Sequence, residues 1–385
     1  MSKPFRSLCV TLCCLLFRLS VIAQSPAPKS QELSPETVKT IESIIQEEMS
    51  KQNIPGLSVA VAINGQVRYA KAFGMADLEN SVPVKNTTAF RTASIAKPFT
   101  ATAVMLLVDQ GKIDLDAPIQ QYCPAFPAKP WTITTRQLLG HLSGIRHYKN
   151  DDESNGTTHY FTLVETLRIF KDDPLLFEPG TKFTYSTFGY SVLGCAIEGA
   201  SGMRYDDFMQ QNVFAAAGMG HTQTDDIFSV IPDRSRGYMK ITPQLSAQLP
   251  EPMKSRFKVG QIYNSDLSDT SMKIPGGGFL STSIDLVNFG SATIKGKLVK
   301  ETTAQQMWTA QKTKDGKEIV YGLGWLMGKF KGSKMLVHSG GQSGTSTLLY
   351  IIPEKGIAIA AMSNLEGAVL SRILTETAKA LPTTP

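Results

Sequence analysis

Apolar residues recur along this chain in two rhythms, strand-like at both ends and helix-like through the middle. Near the front, Ser34-Pro35-Glu36 supplies an N-cap and a first-turn proline and predicts a helix to about Met49. Gly56–Ile63 and Gln66–Phe73 are apolar runs of strand length on either side of Asn64-Gly65, a dipeptide suited to a tight hairpin turn. From Ser94 to Gly111, the residues Ala101, Val104, Met105 and Val108 fall at helical spacing, with Gly111 as the stop. Between about Ile113 and Thr270 the pattern is one of helical segments and loops broken by Pro and Gly. Strand-like runs return at Tyr321–Trp325, Met335–His338, Thr345–Ile352 and Gly356–Met362, and a helix over roughly Glu366–Ala380 closes the chain. This order predicts an α/β protein of the α+β kind: one antiparallel sheet built from both termini, flanked by helices, with a mostly helical lobe inserted. A cleft is expected between sheet and lobe, and Ser94 falls at that junction.

Composition narrows the picture modestly. The 385 residues are 42% hydrophobic and 19% charged, enough for a sizeable core and unlike a disordered chain. The net charge of +6 is mild and no run of Lys/Arg occurs, which excludes nucleic acid as the expected partner. Lys3 and Arg6 precede the apolar stretch Leu8–Phe17, and Val21-Ile22-Ala23 before Gln24 fits a cleavage site. Residues 1–23 therefore read as a signal peptide, 24–35 as a Pro/Ser-rich linker and 36–382 as the domain, secreted or periplasmic. Arg18 and the lack of an acidic residue before Glu32 keep a mitochondrial or leader-anchored alternative open. The apolar stretch is too short to span a bilayer, so no stable membrane span is expected once the leader is removed.

Of the five cysteines, Cys9, Cys13 and Cys14 would leave with the leader. Cys123 and Cys195 permit one disulfide without requiring it, and the apolar run Val192–Ile197 makes Cys195 read as a small buried hydrophobe. Neither a Cys-x-x-Cys nor a His-x-x-x-His pair is present, so no metal and no cofactor is expected.

Ser94-Ile-Ala-Lys97 carries the most chemistry. A serine and a lysine three apart at a helix start share one face, close enough for the amine to take the hydroxyl proton. Pro98 lacks an N–H and so places Ser94 beside the helix N-terminus, where unpaired N–H groups favour developing negative charge. Ser255-Arg-Phe-Lys258 repeats the tetrapeptide with nothing around it that suggests catalysis. Tyr185, in Tyr185-Ser186-Thr187, is a candidate base whose phenol a nearby ammonium would acidify. His338-Ser339-Gly340-Gly341 closes a predicted strand; its small residues would admit a substrate backbone, and the N–H of Gly341 would join that of Ser94 in an oxyanion hole. His141 and Gly276-Gly277-Gly278 read as structural, Asp172-Asp173 as a solvated turn and Trp325 as a packing aromatic. Asn150–His159 is a polar loop long enough to cover a cleft edge.

In that order and spacing, Ser94-x-x-Lys97, Tyr185-Ser186-x and His338-x-Gly340 resemble the serine β-lactamase and penicillin-binding-protein superfamily, nearest its class C and β-lactamase-like branches. Leu138–Ile145, Pro275–Thr282 and Phe170–Pro174 support the likeness, which covers about Leu33 to Pro382. The resemblance implies a β-lactamase/transpeptidase-like fold and a serine hydrolase working through an acyl-enzyme. It makes Ser94 the nucleophile and Lys97 the group sharing its proton. Tyr185 would pass that proton to the leaving group and later activate water. His338, standing where the superfamily often has lysine, would orient Tyr185 or the carboxylate side of the substrate. Ser94 and Gly341 would bind the oxyanion through their backbones, and Thr187, Ser339 and Gly340 would contact substrate. Thr187 departs from the superfamily's asparagine, and a hydroxyl reaches less far than an amide. The expected activity is therefore a peptidase first, with β-lactamase, D-Ala carboxypeptidase or esterase as alternatives and a non-catalytic binding or assembly protein behind them. The expected partners are a peptide, ester or β-lactam substrate, and self-association is open.

Overall fold

The computed structural model describes residues 32–382, so the leader and most of the linker lie outside the described residues. Helix α1 (Pro35–Gln52) is capped by Ser34, whose hydroxyl accepts the Thr37 N–H. Strands β1 (Gly56–Ile63) and β2 (Gln66–Asp77) form the hairpin that Asn64-Gly65 predicts, with both turn residues at positive φ. After a 3-10 turn at Ala93–Ile95, helix α2 (Ala96–Asp109) runs through the molecule, and helix α3 (Thr187–Ser201) lies against it. Helix α4 (Ser283–Ile294) leads into the C-terminal strands β3 (Leu326–Phe330), β4 (Ser333–Gln342), β5 (Thr345–Ile352) and β6 (Ile357–Ser363), and helix α5 (Ser371–Ala380) closes the fold.

These strands make one seven-stranded antiparallel sheet in the order Val82–Pro83, β2, β1, β6, β5, β4, β3. The first and last strands of the chain pair at its centre, with Val59 opposite Ala361. Both faces of β1 are covered, which is why its sequence reads as a nearly unbroken apolar run. Leu57, Val59 and Val61 pack with Ile41, Ile45, Ile373 and Leu374 of α1 and α5 on one face. Small residues face α4 on the other: a Cβ on Gly290 would stand 2.8 Å from that of Ala358, so helix and sheet approach closely. A second, three-stranded sheet sets Phe90–Arg91 beside Phe279–Ser281 and so joins the approach to Ser94 to the exit from the glycine triplet.

Three local expectations change. Tyr321–Trp325 is not a strand. Its apolar residues are buried because the segment turns at Gly324 (φ 86°) under α2, where a Cβ would come within 2.3 Å of Ala101 Cβ, and Trp325 stacks on Phe289. His338–Gly341 does not close a strand, because β4 continues to Gln342 and the turn falls at Ser343-Gly344. The last helix starts at Ser371, leaving Glu366–Leu370 as a loop. Cys123 and Cys195 are bonded to each other, tying α3 to the preceding lobe across 72 residues, so Cys195 is a crosslink rather than only a buried hydrophobe. Among the described residues no helix is long and apolar enough to cross a membrane.

Candidate active site

Ser94 sits in the tight turn just before α2, following Ala93, which holds a positive φ of 46° without being glycine. Such a conformation persists only where surroundings enforce it. The enforcing neighbour is β4, which packs across this turn. A Cβ on Gly340 would meet Thr347 Oγ1 at 2.3 Å and Thr92 O at 2.4 Å, so only glycine lets the strand lie this close. Beyond Val337 β3 no longer pairs with β4, leaving the edge of residues 338–342 open beside Ser94.

Lys97, on the first turn of α2, is fully buried. Its Nζ lies 3.1 Å from Ser94 Oγ, 3.1 Å from Thr187 Oγ1 and 2.8 Å from the carbonyl oxygen of Gly276. Burial, helped by the charge of Lys273, drives its pKa well below the ordinary lysine value. A neutral amine offers two N–H donors and one lone pair. As a neutral amine, Lys97 can donate to Gly276 O and Thr187 Oγ1 and keep its lone pair for the Ser94 hydroxyl. That arrangement is one a serine and a general base can use.

The rings of Tyr185 and Tyr190 wall the amine, their centroids 4.7 and 5.6 Å from Nζ. Burial raises the Tyr185 phenol above its usual pKa, and the Ser94 hydroxyl only partly opposes this. The expectation that a lysine ammonium acidifies Tyr185 is therefore corrected: the lysine is the group shifted towards neutrality, and the tyrosine keeps its proton. His141 supports that ring from behind, 4.3 Å centroid to centroid, and accepts the Ser186 N–H on Nδ1 at 3.2 Å. It packs against Tyr185, Tyr190 and Tyr321, a structural place as its sequence reading expects.

His338 is also buried, and its two nitrogens are engaged away from Tyr185. Nδ1 donates to Ser339 O at 2.8 Å, since a carbonyl only accepts, and Nε2 accepts the Tyr321 hydroxyl at 2.9 Å. Burial and the nearby Lys97 lower its pKa to about 3, so the ring is neutral at ordinary pH. The orienting contact with Tyr185 expected of it is not among its hydrogen bonds, which go to Tyr321 and Ser339. Gly340 likewise lies under the nucleophile turn instead of towards a substrate, while Ser339 and Gly341 are exposed on β4.

Ser94 opens into a cavity of about 260 Å³ whose walls include His147, Thr187, Lys273, Gly277, Gly341 and Gln342. The polar loop after Asn150 forms a short helix, Asp151–Asn155, and its end lines the same cavity, as a cleft-edge loop should.

The Beta-lactamase family profile matches residues 41–381. The chain belongs to that family. It is 30% identical over 426 residues to the human serine β-lactamase-like protein LACTB, mitochondrial, an alignment covering 86% of this chain and 75% of the relative. The octameric penicillin-binding protein homologue from Pyrococcus abyssi superposes with a TM-score of 0.73 at 28% identity, covering 89% of this chain and 76% of that one. The D-amino acid amidase from Ochrobactrum anthropi SV3 shares the fold, with a TM-score of 0.76 at 23% identity over 89% of this chain and 98% of that one. The β-lactamase/transpeptidase-like fold and the serine hydrolase class are thereby established for this chain.

Within this family fold, Ser94, Lys97, Tyr185 and Thr187 come together, and Gly341 lines the same cavity. Thr187 bonds Lys97, a partner its position after Tyr-Ser does not reveal. Gly276 is more than a packing glycine, because its carbonyl holds the base and a Cβ there would reach within 2.6 Å of Thr187 Cγ2. The Gly-run hints at close backbone approach, but nothing in the sequence names what approaches. His147 accepts the Thr187 N–H on Nδ1 at 3.3 Å, and Gln342 holds a buried Nε2 without a partner among the described residues. Asp173 is also more than a solvated turn. Burial alone would raise its carboxyl, yet Arg146 and Lys149 hold it below the usual range, and Arg146 in turn binds Glu153 and orders the cleft loop.

Proposed function

We propose that this chain cleaves amide bonds, peptide bonds foremost, through an acyl-enzyme on Ser94. The observation that carries the reading is the fully buried Lys97 amine, 3.1 Å from the Ser94 hydroxyl and held by Thr187 and the Gly276 carbonyl. Lys97 accepts the hydroxyl proton as Oγ attacks the carbonyl carbon. The backbone N–H groups of Ser94 and Gly341 receive the oxyanion. As the tetrahedral intermediate collapses, the protonated Tyr185 phenol donates to the leaving nitrogen and is reprotonated from Lys97. Water, deprotonated along the same path, then releases the acid and restores Ser94.

Two features favour a peptide over a β-lactam. The open β4 edge suits an extended backbone, and Thr187, engaged by Lys97, has no amide to offer the substrate. The D-amino acid amidase likeness supports amide chemistry in this fold. A secreted or periplasmic setting, with the domain at 36–382 freed from its leader, agrees with the Cys123–Cys195 disulfide, which needs an oxidising compartment. The mitochondrial name of the human relative supports the alternative address. The octameric archaeal homologue supports self-association here.

The test is a panel of peptides, esters, nitrocefin and D-Ala-terminated peptides assayed together with intact-mass detection of the acyl-enzyme. Peptide turnover with a transient adduct is expected. Nitrocefin or terminal D-Ala as the best substrate would replace the peptidase reading with a β-lactamase or carboxypeptidase.

A further inference from the structure

Lys273 takes no part in the proton transfers above, yet it is one of the most buried charges in the molecule, 3% exposed. It ends the 3-10 turn Ser271–Lys273, directly before the Ile274–Gly277 segment whose Gly276 carbonyl holds Lys97. Its side chain enters the cavity that Ser94 opens into. Nζ donates to Ser154 O, and it lies 5.7 Å from the centroid of the Tyr148 ring. An ammonium has three donors, and this carbonyl uses one.

No carboxylate among the described residues lies within 4.0 Å of Nζ. Asp225, the acid whose charge reaches it, is already paired with Arg91 and Arg234. Glu366 lines the same cavity more than 4.0 Å from Nζ, accepts the Gly344 N–H at 3.4 Å, and burial, with the charges of Asp266 and Asp151, raises its carboxyl above the usual range. Burial and Arg91 bring Lys273 down to about 8, which still leaves it a cation at neutral pH. A buried cation without its counter-ion is costly, and a fold that keeps one beside a nucleophile has a use for it. On the β4 side the corresponding residue, His338, is neutral and turned away. The positive charge of this site therefore comes from the helical lobe.

We propose that Lys273 determines specificity: its ammonium receives a carboxylate of the substrate, held next to the scissile bond. The inference rests on the serine hydrolase reading of Ser94 and adds the substrate class.

The experiment uses matched substrate pairs, acidic and neutral. In one pair the leaving group of a dipeptide carries a free C-terminal carboxylate or its amide; in the other the acyl group carries a side-chain carboxylate or its amide. Wild-type protein is expected to prefer the acidic member of one pair by about tenfold or more in kcat/KM. K273M keeps the aliphatic stem, and it should collapse that preference towards one, chiefly by raising KM for the acidic member, whereas K273R should retain much of it. Equal kcat/KM for both members of both pairs in the wild type overturns the proposal without any variant, and leaves the hydrolase reading standing if fluorophosphonate still labels Ser94. A preference that survives in K273M also overturns it. Absence of both turnover and labelling removes the reading beneath it as well.

Discussion

Two Ser-x-x-Lys tetrapeptides occur in this chain, and the fold treats them oppositely. Ser94 stands in a strained turn at the head of α2, and its Lys97 is shut from water between two tyrosine rings. Ser255 follows the short helix Glu251–Lys254, exposed, its hydroxyl donating to Pro252 O at 3.2 Å, and Lys258 is exposed as well. Spacing brings serine and lysine together in principle in both. What separates them is distant sequence: Lys97 is held by Thr187, 90 residues away, and by Gly276, 179 residues away. Water would keep a lysine charged at either place, so the chemistry resides in the burial that those partners make tolerable.

The sharpest break in this comparison comes from the hydroxyls. Ser94→Ala should remove turnover and adduct formation, a loss of roughly 10⁴-fold or more, while Ser255→Ala stays within about twofold of wild type. Peptide turnover and labelling of both variants check this. Lys97→Ala is expected to lower kcat/KM by about 10³-fold and Lys258→Ala to leave it unchanged.

The pH dependence follows from the sign of the Lys97 shift. Only the neutral amine accepts the serine proton, so kcat/KM should fall as pH drops through a folded pKa well below 10.5. Because the folded value lies below the unfolded one, the unfolded chain binds the extra proton. Lys97 therefore destabilises the fold at lower pH, and that cost fades as pH rises towards the unfolded pKa. A pH–rate profile beside thermal melts at matched pH reads both.

Cysteine replacement probes the frame that presents Thr187. Changing Cys123 and Cys195 together to Ser should lower stability by about 2–4 kcal/mol, measured by urea unfolding, because the bond closes a long loop onto α3. The smallest effect concerns the base's own partner. Thr187→Val leaves one Lys97 donor unpaired and should reduce acylation about tenfold, seen in single-turnover labelling, with no change at exposed Ser255.

Local pattern was enough for much of the fold. Asn64-Gly65 announces its hairpin, and Ser34-Pro35 announces α1, because these signals act within a few residues. The apolar stretch Tyr321–Trp325 misleads, since a buried turn needs the same residues as a strand and only Gly322 and Gly324 within it mark the difference. Gly340 misleads in the same way: glycine suggests a turn, but here it admits Thr92 O against a continuous strand. In the site, Ser94 and Lys97 were legible because they are neighbours on one helical turn. Tyr185 does stand beside Lys97, but its phenol shifts the opposite way to the one expected, because burial raises it. The Gly276 carbonyl and Lys273 left no signature, because neither a backbone oxygen nor a lone lysine announces what the fold will bury beside it.

The central claim is that burial of Lys97 makes Ser94, and not Ser255, the nucleophile. Treating the native protein with a fluorophosphonate and mapping the adduct by peptide mass spectrometry tests it directly. One adduct per chain on the Ser94 peptide, lost in Lys97→Met, is the predicted result. Labelling at Ser255, or no labelling at Ser94 in the folded wild-type protein, would contradict it.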